Sequence, residues 1–438
     1  MAGRSLEMRV LQLGSEAEVS ATLAFLRTEA ATPSAVADSV RRTLAEVRER
    51  GDEAVLEAVR AHDWPCPDAE ALRVPVRELE GAARSLPAAL REALKEAALS
   101  IRRFHEGQRP ASCAPLEAGG LRAGVRTLPL GSVGLYVPGG RAAYPSTLLM
   151  LAIPAQIAGV GRIAVASPAR PEGLPNRAVL AAAALLGLEE VYAVGGAAAV
   201  AALAFGTPSI PPVDKILGPG NAYVAEAKRQ LFGWVGIDAI AGPTELVILS
   251  DGSSPAAWVA ADLLAQAEHD AAASAILLTT DPEEPERVLG ELERRLESSP
   301  REAIQRESLK ARGALIACGS RAAACAAAEY LAPEHLSVQA REPEAWAEAV
   351  PSAAAVFLGP WAPEAAGDYG AGPNHSLPTG GTARFSSPVG VWDFVRYQSY
   401  LSMDRRAFEA RSEWMELLAE AEGLCGHAAS LRVRGGVS

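Results

Sequence analysis

Cysteine is scarce and unpatterned in this 438-residue chain. There are five, Cys66, Cys113, Cys318, Cys325 and Cys425, an odd number without paired-ligand spacing. That argues against a disulfide framework and suits free thiols in a reducing cytosol. Basic clusters are lacking as well. The formal net charge is −12, and no run of Lys and Arg builds a basic face, so no nucleic-acid partner is expected. The opening Met1–Val10 has no apolar core of the signal-peptide kind. No apolar stretch is long enough and free enough of Gly and Pro to span a bilayer; Ala152–Val160 and Ala181–Leu186 read as buried-helix material. A cytoplasmic protein without a membrane partner is expected. C-x-x-C, H-E-x-x-H and G-x-G-x-x-G motifs are absent, as is any internal repeat.

What is present describes a globular protein of more than one domain. Apolar residues make up 49% and charged residues 21%, and 438 residues exceed one ordinary core. Residues 1–32 read as a strand-and-helix appendage. From Pro33 to about Phe104 apolar residues recur at helical spacing, with a second helix through Pro87–His105, and Arg122–Pro129 is strand-like. Between Gly131 and Gly242 strands alternate with helices. The strand candidates are Val133–Val137, Arg162–Ser167, Glu190–Val194 and Val213–Leu217; the helices are Thr147–Ala158, Asn176–Leu186, Ala197–Ala204 and Ala222–Leu231. A second alternating set starts at Glu245 and ends in the strand Ala354–Leu358. After Pro388 the pattern reads as helical to the end. Such alternation implies parallel sheets with helices on both faces. The expected fold is α/β: two Rossmann-like parallel-sheet domains without the G-x-G-x-x-G fingerprint, plus small N-terminal and helical C-terminal domains. The expected division is 1–32; 33–133 with 244–388, carrying the reactive groups; 134–243, binding a nucleotide; and a tail, 389–438.

The segment Gly367–Pro388, rich in Gly, Pro, Ser and Thr, is too varied for a linker, and it carries Asp368 and His375. It reads as an active-site loop. Gln266 and His269 stand three apart on one helix face and present an oxygen and a nitrogen to one cation; a helix merely ending in His is the alternative. With Asp368 and His427 they make a set suited to zinc, manganese or a similar ion. Glu334 and His335 adjoin at a strand entrance, where a carboxylate beside an imidazole suits general base catalysis, or forms a surface pair. The turns Gly195-Gly196 and Gly218-Pro-Gly-Asn221 precede helices and offer N–H groups to an anion, or are tight turns capped by Asn221. His62 and His105 read as solvated or capped helix residues.

These stretches together resemble the histidinol dehydrogenase family. The resemblance is carried, in order, by Phe104–Gln108, Gly134–Gly140, Val213–Asn221, Ala241–Glu245, Gln266–Asp270, Pro333–Leu336, Gly367–His375, Pro378–Ser387 and Glu422–His427. It implies an NAD-dependent, zinc-containing homodimer that oxidises L-histidinol through histidinal to L-histidine, the last steps of histidine biosynthesis. By the resemblance the zinc ligands are Gln266, His269, Asp368 and His427. Glu334 would activate the water that hydrates the aldehyde, and His335 would take the alcohol proton. Substrate contacts fall on Thr244, Gln266, His269, His335, Asp368, His375, Glu422 and His427, and NAD contacts on Tyr136 and Asn221. Glu422 and His427 belong to a tail that would reach the partner's site. Two positions depart from the family: Thr244 replaces Ser, and Ala198 replaces a Gln that contacts NAD. A sister dehydrogenase acting on another amino alcohol or polyol, a metal-dependent hydrolase using Glu334, and a binding protein on a decayed enzyme fold are the rival readings.

Overall fold

The computed structural model describes residues 6–26, 33–110, 113–139 and 144–435. Gly140 of the glycine-rich motif and the ends of the expected appendage and tail (1–5, 27–32 and 436–438) lie outside the described residues.

Two parallel sheets organise the chain. The first runs, across its width, Val191–Tyr192, Arg162–Ala166, Ser132–Tyr136, Lys215–Leu217, Gly236–Ile237. In chain order that is 3-2-1-4-5, the doubly wound arrangement whose switch point falls between its first and fourth strands. The second sheet repeats the order with Gly313–Cys318, Ser274–Thr279, Glu245–Ser250, His335–Gln339 and Ala355–Leu358. Both halves therefore share a topology that no sequence repeat announces.

Strand burial explains why these segments form sheets with helices on both sides. In the first sheet Val133, Leu135, Val165 and Leu217 enter one core and Tyr136, Ala164, Ala166 and Ile216 the other, the period-2 alternation of a strand covered on both faces. The second sheet divides likewise, Val247 and Leu249 against Leu246 and Ile248.

Packing differs from the expected division in three places. Arg9–Leu13 is no appendage: it pairs in parallel with Gly313–Cys318 and forms the edge of the second sheet, because Leu13 and Leu23 have a core only there. The helices Ser34–Arg50, Asp52–His62, Val76–Ser85 and Ala88–Glu106 cover the faces of the first sheet, not the second. Their apolar stripes meet the Ala-rich helices Pro145–Ala158, Arg177–Leu185 and Gly196–Phe205. Finally, the tail is not helical throughout. Val395–Met403 is a nine-residue strand, antiparallel to Leu121–Pro129, with Leu116–Ala118 as third strand. Its Val395, Tyr397, Leu401 and Met403 stand on one face at even spacing, and β-branched and aromatic residues suit a strand. The helices Arg405–Ala421 and Cys425–Arg432 follow.

Candidate active site

A cavity of about 300 Å3 opens between the two halves. The first sheet contributes residues just beyond the carboxyl ends of its first and fourth strands, Pro138 and Pro219-Gly220. This is the switch-point crevice where doubly wound sheets bind ligands. The second sheet contributes the opposite edge: Thr244 and Glu334-His335 stand at the amino ends of its first and fourth strands. His269, Glu364, Asp368 and His375 close the cavity, with Tyr144, Ser146 and Thr147.

The Glu334–His335 pair owes its geometry to a turn. Ala332 (φ 47°) ends the helix Arg321–Leu331 in the left-handed region, the one non-glycine with positive φ among the described residues. The chain then enters the strand at His335, so Glu334 lies ahead of the pleat and both side chains line the cavity. His335 Nδ1 is 3.1 Å from the Glu245 carbonyl, which fixes the hydrogen on Nδ1 and leaves Nε2 free to accept a proton. Two carboxyl groups flank Nδ1, Glu334 at 3.5 Å and Glu364 at 3.6 Å. Glu334 accepts from the Glu245 N–H at 3.0 Å. Burial pushes its carboxyl up to about 8, although the Thr244 hydroxyl and Glu245 N–H oppose the rise.

A cation would find donors on the other wall. His269, Glu364 and Asp368 each offer an atom within 4.8 Å of the others', His269 Nε2 lying 4.0 Å from Asp368 Oδ2. Gln266 is fully buried. Its Nε2 donates to Thr244 Oγ1 (3.3 Å) and to the Ser274 carbonyl (3.2 Å), while its Oε1 has no hydrogen-bond partner. An unanswered buried acceptor costs about 1–3 kcal/mol, and so does Glu364 Oε2, which is equally unpartnered. A cation among these groups would remove the penalty. The donor set, imidazole nitrogen with carboxylate and amide oxygens, fits zinc or manganese. Burial lowers the His269 imidazole and favours its neutral, metal-binding form. Burial works to raise Asp368, but the hydrogen bond and charge of His375, aided by His335 and His269, hold it below its ordinary value.

His375 donates from Nδ1 to the Asp368 carbonyl (3.2 Å), and its other nitrogen lies 3.1 Å from Thr147 Oγ1. His105 supports this loop from beneath. It is fully buried, not solvated, with Nδ1 2.6 Å from Gln108 Oε1 and Nε2 3.5 Å from Asn374 Nδ2.

Tyr136 is buried, and its hydroxyl accepts the Gly196 N–H at 3.1 Å. Asn221 is exposed, and its Oδ1 caps the helix Ala222–Leu231 by accepting from Tyr223 and Val224. Ala198 lies buried in the first turn of Gly196–Phe205. Thus Thr244, Glu334, His335, His269, Asp368 and His375 share the cavity, and Gln266 joins them through Thr244. Glu422 and His427 do not: both are exposed on the tail, and among the described residues neither joins the group around His269. Glu364 was missed by the sequence reading, although its spacing from Asp368 puts two acids on one face of the short helix Glu364–Asp368.

The whole chain has close relatives. The histidinol dehydrogenase family model matches residues 26–435. A histidinol dehydrogenase of Bordetella parapertussis strain 12822 is 47% identical over 422 residues, 96% of this chain and 95% of the relative. One from Gluconobacter oxydans strain 621H is 49% identical over 399 residues, 91% and 93% of the two chains. The crystal structure of histidinol dehydrogenase from Elizabethkingia anophelis superposes with a TM-score of 0.91 at 32% identity, covering 98% of each chain. With the match running through both sheets and every element of the cavity, the chain belongs to the histidinol dehydrogenase family.

Proposed function

We propose that this protein oxidises L-histidinol through histidinal to L-histidine, with two NAD as hydride acceptors and a zinc ion held by Gln266, His269, Asp368 and the partner chain's copy of His427. The observation that carries the reading is the convergence, in one cavity at a switch point, of a poised base, a second buried carboxylate and an unsatisfied ligand set. When bound, zinc would supply a Lewis acid and an anchor for substrate nitrogen, and NAD would supply the hydride acceptor.

The chain's own residues do the rest. His335 Nε2 takes the alcohol proton, and the imidazolium so formed is stabilised at Nδ1 by the Glu245 carbonyl, with the Glu364 carboxyl beside it. In the second step Glu334 accepts a proton from the water that adds to the aldehyde. Its raised pKa suits that task, because a base works best near the operating pH. The hydrate anion so formed then loses hydride and its remaining hydroxyl proton to give the carboxylate. Thr244 links the base to the metal ligands: its hydroxyl meets both Glu334 and Gln266, so the extra methyl relative to Ser leaves the hydrogen bonds intact. Tyr136 and Asn221, at the carboxyl edge of the first sheet, are the proposed NAD contacts, and Asp368 and His375 orient the substrate.

The reading places Glu422 and His427 in the site of a second copy. Large apolar side chains exposed along the antiparallel ribbon and tail, among them Leu116, Tyr397, Leu401, Trp414 and Leu417, support a homodimer. No described helix is long and apolar enough to cross a membrane, and the free thiols favour a cytoplasmic location. The test is His335→Asn. It should lower kcat for L-histidinol oxidation by roughly 10²–10⁴-fold with little change in KM. A variant that keeps native kcat would remove His335 as the base.

A further inference from the structure

Outside the cavity the structure holds a buried ion pair wrapped around one residue. Lys228, on the helix Ala222–Leu231, is 1% exposed and pairs with Asp238, which follows the strand Gly236–Ile237. Both grip Gly218. Its N–H donates to Asp238 Oδ2 at 2.7 Å, and its carbonyl accepts from Lys228 Nζ at 3.0 Å. Gly218 cannot be replaced: its φ is +121°, and an added Cβ would fall 2.1 Å from the Tyr136 carbonyl.

The gripped peptide is the hinge between strand and site. Immediately after it come Pro219 and Gly220, which line the cavity, and Asn221. Immediately before it Leu217 pairs with Leu135 of the neighbouring strand, one residue short of Tyr136. One ion pair thus fixes both peptide groups of Gly218, at the head of the turn that carries Asn221, one of the two proposed NAD contacts. A buried pair seldom adds much stability over an apolar one of equal volume, so its retention at this place calls for another account.

We propose that Lys228 and Asp238 are positioning residues for NAD: they hold the Gly218–Asn221 turn so that the cofactor meets a preformed edge, without touching cofactor or substrate themselves. The inference rests on the placement of NAD at Tyr136 and Asn221. Loosening the turn weakens cofactor binding and leaves His335, Glu334 and the metal ligands in place.

The experiment compares Lys228→Met, Asp238→Asn and the double variant, each as the intact zinc-loaded protein. Single variants leave one buried charge unpaired and can fail to fold; the double variant removes both charges and is the decisive one. NAD binding is read by calorimetric titration, and KM is measured separately for NAD and L-histidinol. The double variant should raise Kd and KM for NAD roughly tenfold, the effect of one or two lost hydrogen bonds to a charged group, while kcat and the KM for L-histidinol stay within about twofold. A folded double variant with native NAD affinity overturns the proposal, as does an equal loss for both substrates, which marks a merely structural pair. Asn221→Ala serves as the reference. If it leaves NAD affinity unchanged, the placement of the cofactor fails instead.

Discussion

Glu334→Gln separates what the fold prefers from what the reaction needs. In the folded chain burial raises the Glu334 carboxyl from 4.5 to about 8. A raised folded pKa means that the fold prefers the protonated form. Its contribution is fully present below pH 4.5 and is lost as pH rises through about 8. At ~1.4 kcal/mol per unit, the loss reaches about 3 kcal/mol at neutral pH and about 5 kcal/mol above pH 8. Glutamine keeps the shape and can accept from the Thr244 hydroxyl and the Glu245 N–H, but it never ionises. The variant should match the parent in stability near pH 4.5 and exceed it progressively up to about pH 8, with a plateau beyond. Urea unfolding of the metal-free, NAD-free proteins across pH 4.5–9 measures this, because a bound cation would itself shift the carboxyl. A stability difference that is flat in pH would refute the desolvation of Glu334. The same variant should still form the aldehyde but hydrate it slowly, so NADH per L-histidinol falls from about two towards one.

Two further outcomes follow from the departures and from the tail. Ala198→Gln should lower the KM for NAD several-fold to roughly tenfold, the worth of one hydrogen bond at about 0.5–1.5 kcal/mol; initial rates at varied NAD decide it, and an unchanged KM counts against a cofactor contact there. Refolding a His335→Asn chain together with a His427→Ala chain should restore about a quarter of native activity if the tail acts in trans, since half of the dimers carry one intact site of two. No recovery would mean that each tail serves its own chain.

Much of the first sheet was legible because four of its five strands lead into a helix rich in Ala or Leu; the fifth, Gly236–Ile237, is two residues long, leads into no helix and left no such mark. The expected helix Ala222–Leu231 has the observed bounds, and Thr147–Ala158 differs from Pro145–Ala158 by its first two residues. The edge strand Arg9–Leu13 was not placed, because its partner is more than three hundred residues away in sequence and parallel pairing leaves no local mark. The helix expected over Val391–Tyr397 is instead a single 3-10 turn, Val391–Phe394, followed by the strand Val395–Met403. His105 sits on an apolar helix stripe, and only the folded loop shows that Asn374 closes over it. At the site, pattern and resemblance together gathered most groups. Glu364 escaped because the loop was taken to begin at Gly367, one residue before the end of the helix that carries both acids. The shared strand order of the two halves has no sequence counterpart, since sheet order is set by crossovers and packing rather than by residue identity.

The most direct test of the central claim counts NADH and L-histidine formed from L-histidinol before chelation, after chelation and after zinc is restored. The account predicts two NADH per histidine, lost when the metal is stripped and recovered with zinc. Full turnover in the chelated protein would contradict the metal set of Gln266, His269, Asp368 and His427. Turnover of another amino alcohol with none of L-histidinol would contradict the assigned substrate.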